Sequence, residues 1–253
     1  MNVLDRAFEH PQRLEEHAAA PLAGGIMQHG YQCGMIWGAT LAAGAEAFRR
    51  HGPGPKAEAA AIRAAQRVVE SFRARHGEID CFEITGLDKS SSTWQMISHF
   101  FVKGGTIECF RMAAWYAPRA FDEISSTLSD EVVEPPSPPV SCAASLAQKM
   151  GESDLHTAMA AGLAGGIGLC GGACGALGAA IWILGMRIRN ERGAKAGYKD
   201  SRIREAIDRF LKHTNFQFEC TGIVGRTFED VRDHAAYLRD GGCRELLETL
   251  AAG

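Results

Sequence analysis

Apolar positions recur with helical spacing along much of the chain. Between residues 56 and 75, apolar side chains lie three or four residues apart with arginine and glutamate between them, which predicts an amphipathic helix. Similar patterns predict helices over residues 200–213 and 227–239, the second capped by Thr227. No segment alternates apolar and polar residues with the β-branched composition of a strand. The pattern therefore predicts an all-α protein.

One long stretch departs from this amphipathic pattern. Residues 157–186 carry no formal charge and contain nine glycines. A run of about 20 apolar residues can cross a bilayer, but here glycine and alanine dominate, and paired glycines would expose backbone to lipid. The composition argues against a membrane span. We interpret the stretch as a buried central helix whose small residues allow close approach of neighbouring backbones.

The same stretch has a counterpart earlier in the chain. Residues 19–44 and 160–185, aligned without gaps, are identical at twelve of twenty-six positions, among them Leu-Ala-Gly-Gly-Ile and the Cys-Gly pair. An offset of about 140 residues also aligns Cys81 with Cys220, and the Gly-Gly before Cys109 with that before Cys243. Such self-similarity indicates an internal duplication.

The duplication predicts two similar helical halves, residues 1–124 and 142–253. Between them, residues 125–141 are rich in serine, acidic residues and proline, which is typical of an extended linker. We expect a pseudo-twofold arrangement in which the two Gly/Ala-rich helices pack together at the centre. The small residues expected at that contact are Gly34, Gly38, Gly175 and Gly178.

Composition narrows the class of function. The 253 residues carry a net charge of −3 without a basic block, which argues against nucleic-acid binding. No Walker or Rossmann glycine pattern is present, so no nucleotide is expected. The first sixteen residues lack the basic-then-apolar order of a secretion signal, and we expect a cytoplasmic protein. Its eight cysteines are then better interpreted as thiols or metal ligands than as disulfides.

Two of the cysteines lie close together in the central stretch. Cys174 follows Gly-Gly-Ala and precedes a helical run, which places it in a first helical turn where aligned N–H groups lower a thiol pKa. Cys33 occupies the matching position. Cys170 and Cys174 are four residues apart, so they could bind one metal or form a redox pair. His29, four residues before Cys33, could face the same metal, although an ordinary structural histidine explains it more simply.

The chain contains neither CxxC nor CxxCH, which excludes a thioredoxin-type motif, an ordinary zinc knuckle and covalent haem. The order of cysteines instead resembles the redox-active family named for its C-GCAxxG-C-C pattern. In the second half the pattern is formed by Ser-Cys142, Cys174-Gly-Ala-Leu-Gly, Cys220 and Gly-Gly-Cys243. The family is also similar to the helical domain of split-Soret cytochrome c, which accompanies an iron–sulfur cluster.

The resemblance implies a helical fold and a cysteine-ligated iron–sulfur or thiol redox site in the second half. Its implied ligands are Cys142, Cys174, Cys220 and Cys243, with Cys170 as a further metal candidate. The first half has Cys33, Cys81 and Cys109 but no leading cysteine, so these thiols and His29 are weaker candidates.

Three functional hypotheses follow. The first is an iron–sulfur protein that transfers electrons or acts on a small molecule. The second is a metal-free dithiol oxidoreductase that uses Cys170 and Cys174, or Cys220. The third is a structural zinc site or a packing role in a homodimeric scaffold. The redox partner or small-molecule substrate is not identified by the residues.

Overall fold

The protein is helical in both halves. The computed structural model describes residues 1–102, 104–130, 134–193, 197 and 200–252. Within these ranges the only β pairing consists of two isolated bridges, Gln32 with Asp80 and Ala173 with Glu219. The predicted all-α class is confirmed. The α-helices are α1 Asn2–Ala7, α2 Arg13–Ala18, α3 Gly34–His51, α4 Pro55–His76, α5 Cys81–Thr85, α6 Thr93–Ile97, α7 Gly105–Ser129, α8 Cys142–Lys149, α9 Asp154–Ala161, α10 Gly175–Arg192, α11 Ser201–His213, α12 Cys220–Val224, α13 Val231–Arg239 and α14 Arg244–Ala251.

The two halves follow the predicted duplication. Helices α2 to α5 of the first half correspond in order to α9 to α12 of the second, and both bridges occupy matching positions. The amphipathic helices α4 and α11 form where the apolar periodicity predicts them. Each buries its apolar face, with Phe72 and Phe210 fully enclosed.

The halves pack together through two matching contacts, each made by one central helix with a helix of the other half. Helix α3 packs against α9 of the second half, and α10 packs against α2 of the first. A Cβ atom added at Gly44 would overlap the carbonyl oxygen of Ala158, and one at Gly185 would lie 2.6 Å from that of Ala18. Because the obstructing atoms are backbone, glycine is what allows each crossing.

The two central helices also meet directly, at one of the predicted glycines. A Cβ atom at Gly178 would overlap the indole ring of Trp37 on α3. The other three predicted glycines instead lie against residues of their own half: Gly34, Gly38 and Gly175.

The charge-free stretch is buried as predicted, but it is not one continuous helix. Helix α9 ends at Ala161 and α10 begins at Gly175. Between them, residues 165–169 all have positive φ, as do residues 24–28 in the first half. These are the positions of the repeated Gly-Gly-Ile, and glycine enters the left-handed region without the steric cost that other residues pay. The repeat therefore encodes a left-handed turn.

Two predicted boundaries differ from the structure. Helix α13 begins at Val231 and is capped by Asp230, whose carboxylate accepts from two backbone N–H groups, so the predicted start at Thr227 is wrong. Helix α7 extends to Ser129 and so occupies the beginning of the segment predicted as linker. Across the described ranges, no helix combines the length and the apolar character needed to cross a bilayer.

Candidate functional site: a four-thiol chamber

Four cysteines of the second half lie at the N-terminal ends of four helices. Cys142 and Cys220 are the first residues of α8 and α12, while Cys174 and Cys243 are the N-caps of α10 and α14. All four line one cavity, which we call the thiol chamber. The unpaired N–H groups at helix N-termini create positive potential, which favours negative charge on a sulfur or on a group bound to it.

A short backbone pairing holds two of these cysteines side by side. The N–H of Cys174 donates to Phe218 O at 2.9 Å, and the N–H of Cys220 donates to Gly172 O at 2.7 Å. The bridge between Ala173 and Glu219 lies between these bonds. The relative position of Cys174 and Cys220 is thus set by main-chain contacts and does not depend on their side chains.

The rest of the chamber wall is mostly apolar, with Ile223, Phe228 and Leu246 among its residues. The free volume is only about 10 Å³, close to the space of one water molecule. Cys142 and Cys174 are each 6% exposed. In this arrangement the chamber is almost filled by its own lining side chains.

Burial controls the acidity of the chamber thiols. It raises the pKa of Cys174 to about 12, although the N–H groups of Leu177 and Ala176 donate to the sulfur and oppose the shift. Burial also raises the pKa of Cys142 and of Cys220, and the charge of neighbouring thiols raises both further. The prediction that a helix N-terminus lowers the pKa of Cys174 is therefore wrong, because loss of solvent outweighs the backbone N–H groups.

Cys243 connects the chamber to solvent. It is half-buried, and it also lines an open groove of about 840 Å³ whose other walls include Asp240 and Arg244. Tyr237 Oη lies 3.8 Å from Cys243 Sγ. Burial raises the pKa of Cys243, and the hydrogen bond with Tyr237 opposes that shift. A molecule in the groove can thus approach this thiol without entry into the closed chamber.

The first half retains part of the same arrangement. Cys33 is the N-cap of α3 and Cys81 is the first residue of α5, and their N–H groups donate to Ile79 O and Tyr31 O as in the second half. Burial raises the pKa of Cys33 to about 12, and the charges of nearby Cys81 and Cys109 raise it further, so the predicted lowering at Cys33 is wrong as well.

The third thiol of the first half occupies a different place from its predicted counterpart. The left-handed N-cap of α7 is Gly104, which is the position of Cys243 at the start of α14. Cys109 lies one turn further along the helix. The first half therefore presents two thiols in matching positions and a third that is displaced.

Cys170 lies apart from the chamber. Its thiol donates to Gly168 O at 3.5 Å. Burial raises its pKa to about 11, and the nearest charges are those of Arg73 and Glu70 on α4. Residues 171–173 are not helical, so the spacing of four residues does not place Cys170 and Cys174 on one helical turn.

His29 is also separated from its predicted partner. Its ring packs on Phe218 with centroids 4.9 Å apart, and Nε2 lies 3.5 Å from Lys89 Nζ. Burial lowers its pKa to about 4, and the charge of Lys89 acts in the same direction. Because residues 31–33 are not helical, His29 and Cys33 do not share a helix face.

His234 contributes to the chamber, although its sequence position is equally compatible with a surface site. It is 2% exposed, lines the chamber, and Nδ1 donates to Val140 O at 2.9 Å. That bond ties α13 to the segment that leads into Cys142. The sequence spacing indicates that His234 is buried, because it lies on the same apolar helix face as Val231, Ala235 and Leu238.

As the side chains stand, no group of three or more His, Cys, Asp or Glu residues in the described part of the chain is arranged to hold a metal ion. The fold and the chamber define a class: a duplicated all-α protein with a buried multi-thiol site. A family model with the description "Putative redox-active protein (C_GCAxxG_C_C)" matches residues 2–117 and 140–252. The chain belongs to this family and carries its domain twice, as the sequence resemblance predicted. Neither a curated protein nor a solved structure matches the chain.

Proposed function

We propose that the second half binds an iron–sulfur cluster through the thiolates of Cys142, Cys174, Cys220 and Cys243. The observation that carries the proposal is that these four thiols, from four separate helix N-termini, line one buried chamber. Four cysteine thiolates are the usual ligand set of such clusters. A redox role also agrees with the family to which the chain belongs.

The chemistry of the site suits this group, but the thiols must move apart to admit it. A free volume of about 10 Å³ cannot contain a cluster, so the cysteine side chains have to turn away from the chamber centre. Backbone N–H groups already donate to the sulfurs of Cys174 and Cys142. Such bonds, with the positive helix ends, would offset the negative charge of four thiolates. When bound, the cluster would supply one-electron transfer.

The chain's own residues would control access and charge. The apolar wall around Phe228 excludes water, which raises the cost of an unneutralised charge. Tyr237 donates towards Cys243 and, since burial raises its own pKa to about 12, it remains protonated at neutral pH. The groove beside Cys243 is where a redox partner or a small substrate would come nearest to the site.

The test is purification without oxygen. The protein should then be brown, with visible absorbance that bleaches on reduction, and with iron and acid-labile sulfide bound. Cys174→Ser and Cys220→Ser should each lose colour, because a hydroxyl is a poor ligand for iron–sulfur chemistry. Cys109→Ser, outside the chamber, is the matched control and should keep it. Colourless protein with eight freely titrating thiols would overturn the proposal, and colour loss in Cys33→Ser alone would assign the cluster to the first half.

A metal-free dithiol is the second candidate, favoured by the small chamber volume. The thiols of Cys174 and Cys220 are held side by side and their charges interact. Two-electron oxidation of this pair would form one disulfide and release two protons, with both electrons passed to a redox partner. In that case the protein is colourless, and peptide mass spectrometry after mild oxidation finds Cys174 linked to Cys220.

A further inference from the structure

Gln32 of the first half reaches into the loop of residues 162–174, which connects α9 to α10 and leads to the chamber thiol Cys174. Its side chain is fully buried. Nε2 donates to Gly166 O at 3.3 Å, and Oε1 accepts from the N–H of Ala173 at 3.0 Å. Ala173 immediately precedes Cys174. One amide group therefore ties together two points of the left-handed loop, one of them adjacent to a chamber thiol.

The loop is shaped to receive this side chain. A Cβ atom at Gly172 would overlap Gln32 Nε2, so a glycine is required there. The carbonyl of the same Gly172 accepts from the N–H of Cys220 at 2.7 Å. The other end of the loop borders Cys142, since Gly165 and Cys142 line the same chamber. Contacts from one loop thus lead to three of the four chamber thiols.

Gln32 is itself held firmly. Its backbone pairs with Asp80, and its carbonyl oxygen accepts from Trp37 Nε1 at 3.0 Å. Trp37 in turn packs against Gly178 of α10. The amide is therefore presented to the second half by a rigid part of the first.

Among the described residues, the second half has no side chain that makes the equivalent contact with the first half. In the duplication, the residue that matches Gln32 is Ala173, whose methyl group can neither donate nor accept a hydrogen bond. The first half, which lacks the complete cysteine set, thus supplies a polar side-chain contact to the second half, and no described residue of the second half supplies a matching one. This asymmetry gives the first half a role of its own, which differs from that of a second thiol site.

We infer that Gln32 is a positioning residue for the thiol chamber. Through the side-chain amide of Gln32, the first half holds the backbone pairing of Cys174 and Cys220 in place. The link to redox function rests on the proposed cluster or dithiol. The positional claim rests only on the contacts of the amide.

The experiment compares Gln32→Met, which keeps the length and removes both hydrogen bonds, with Thr40→Val. Thr40 is fully buried, contacts Gly162 across the same interface, and its hydroxyl makes no hydrogen bond among the described residues. In reduced, metal-free protein, alkylation of each cysteine is followed by peptide mass spectrometry. Loss of a buried hydrogen-bonding partner should raise the rates at Cys174 and Cys220 by roughly tenfold through local opening.

Cys109, which does not line the chamber, should keep its wild-type rate in Gln32→Met, and Thr40→Val should leave all rates unchanged. In protein that holds a cluster, Gln32→Met should also shift the reduction potential or lose colour. Unchanged rates at Cys174 and Cys220, or an equal rise at every cysteine, would overturn the positioning role. If the wild-type protein proves colourless, the alkylation rates still decide the matter, so the two proposals can fail separately.

Discussion

The indole ring of Trp37 occupies the space that a side chain at Gly178 would need. The two residues face each other across the interface of the halves, on α3 and α10, and they occupy matching positions in the duplication. One copy thus carries the largest side chain and the other carries none. This complementarity lets two related helices approach at one point without a clash.

Gly178→Ala should therefore destabilise the protein by about 1–3 kcal/mol, because the added methyl overpacks a rigid ring. Destabilisation would be informative, because replacing glycine by alanine inside a helix normally stabilises the helix by about 1 kcal/mol. Gly197→Ala, outside the helices, is a control, because among the described residues no atom lies within 4 Å of its added Cβ. Urea unfolding measures both variants, and equal midpoints for Gly178→Ala and wild type would contradict the contact.

Gly166→Ala tests the left-handed turn. Gly166 has φ +75° and an added Cβ would overlap the backbone of Gly172, whereas Gly151 has φ +77° and, in the described part of the chain, no atom within 4 Å of an added Cβ. Both variants should incur the left-handed cost of about 1–2 kcal/mol. Only Gly166→Ala should lose more than this and also expose Cys174 to alkylation. Equal losses of unfolding free energy in the two variants would show that backbone approach is unimportant.

The raised thiol pKa values predict a loss of stability at alkaline pH. Cysteine in the unfolded chain ionises near pH 8.5, whereas the pKa of folded Cys174 is raised to about 12 by burial. Proton uptake thus favours the folded state, and its contribution is complete below about pH 8 and lost as pH rises towards 12. Metal-free protein should show a falling urea midpoint over this window. Cys174→Ala should flatten the dependence, and an unchanged slope in that variant would contradict the assignment.

Metal uptake should have the opposite pH dependence. The chamber thiols are neutral at pH 7 and must lose protons to bind a metal, so uptake should release protons and strengthen as pH rises. Cluster reconstitution at several pH values, with proton release followed in weak buffer, measures this effect. Uptake that is independent of pH between 6 and 9 would mean that the ligands are not the buried thiols.

His156 joins the two halves electrostatically. Its Nε2 lies 3.0 Å from Glu15 Oε1 and its Nδ1 lies 3.1 Å from Glu152 Oε2. Burial alone would lower the pKa of His156, but the hydrogen bonds and charges of these carboxylates raise it overall. The contribution of His156 to folding is therefore complete below its unfolded pKa near 6.5 and is lost as pH rises through the higher folded value.

Glu15→Gln should lower the free energy of unfolding at pH 6 by about 1.5–3 kcal/mol, the range for hydrogen bonds to charged groups. At pH 9, where His156 is neutral, the difference should be smaller. Urea titrations at both pH values check this, with Glu70→Gln as a control because its ion pair with Arg67 is exposed. A loss that is equal at both pH values would rule out a protonated His156.

The sequence by itself determined the class of the fold and its duplication. Helical periodicity is a local property, so the apolar spacing around Phe72 and Phe210 was sufficient to locate α4 and α11. The order of cysteines also singled out, by resemblance, the four that line the chamber. These are features that depend on neighbours in the chain or on a pattern repeated along it.

Tertiary structure alone decided how the halves cross and how the thiols behave. The pKa of Cys174 is set by how completely distant segments exclude water, so a local argument about helix N-termini predicted the wrong direction. The left-handed turn at Gly166 depends on a backbone conformation that glycine permits without requiring it. The contact of Gln32 with Ala173 joins residues 141 positions apart, which only the packing of the two halves brings together.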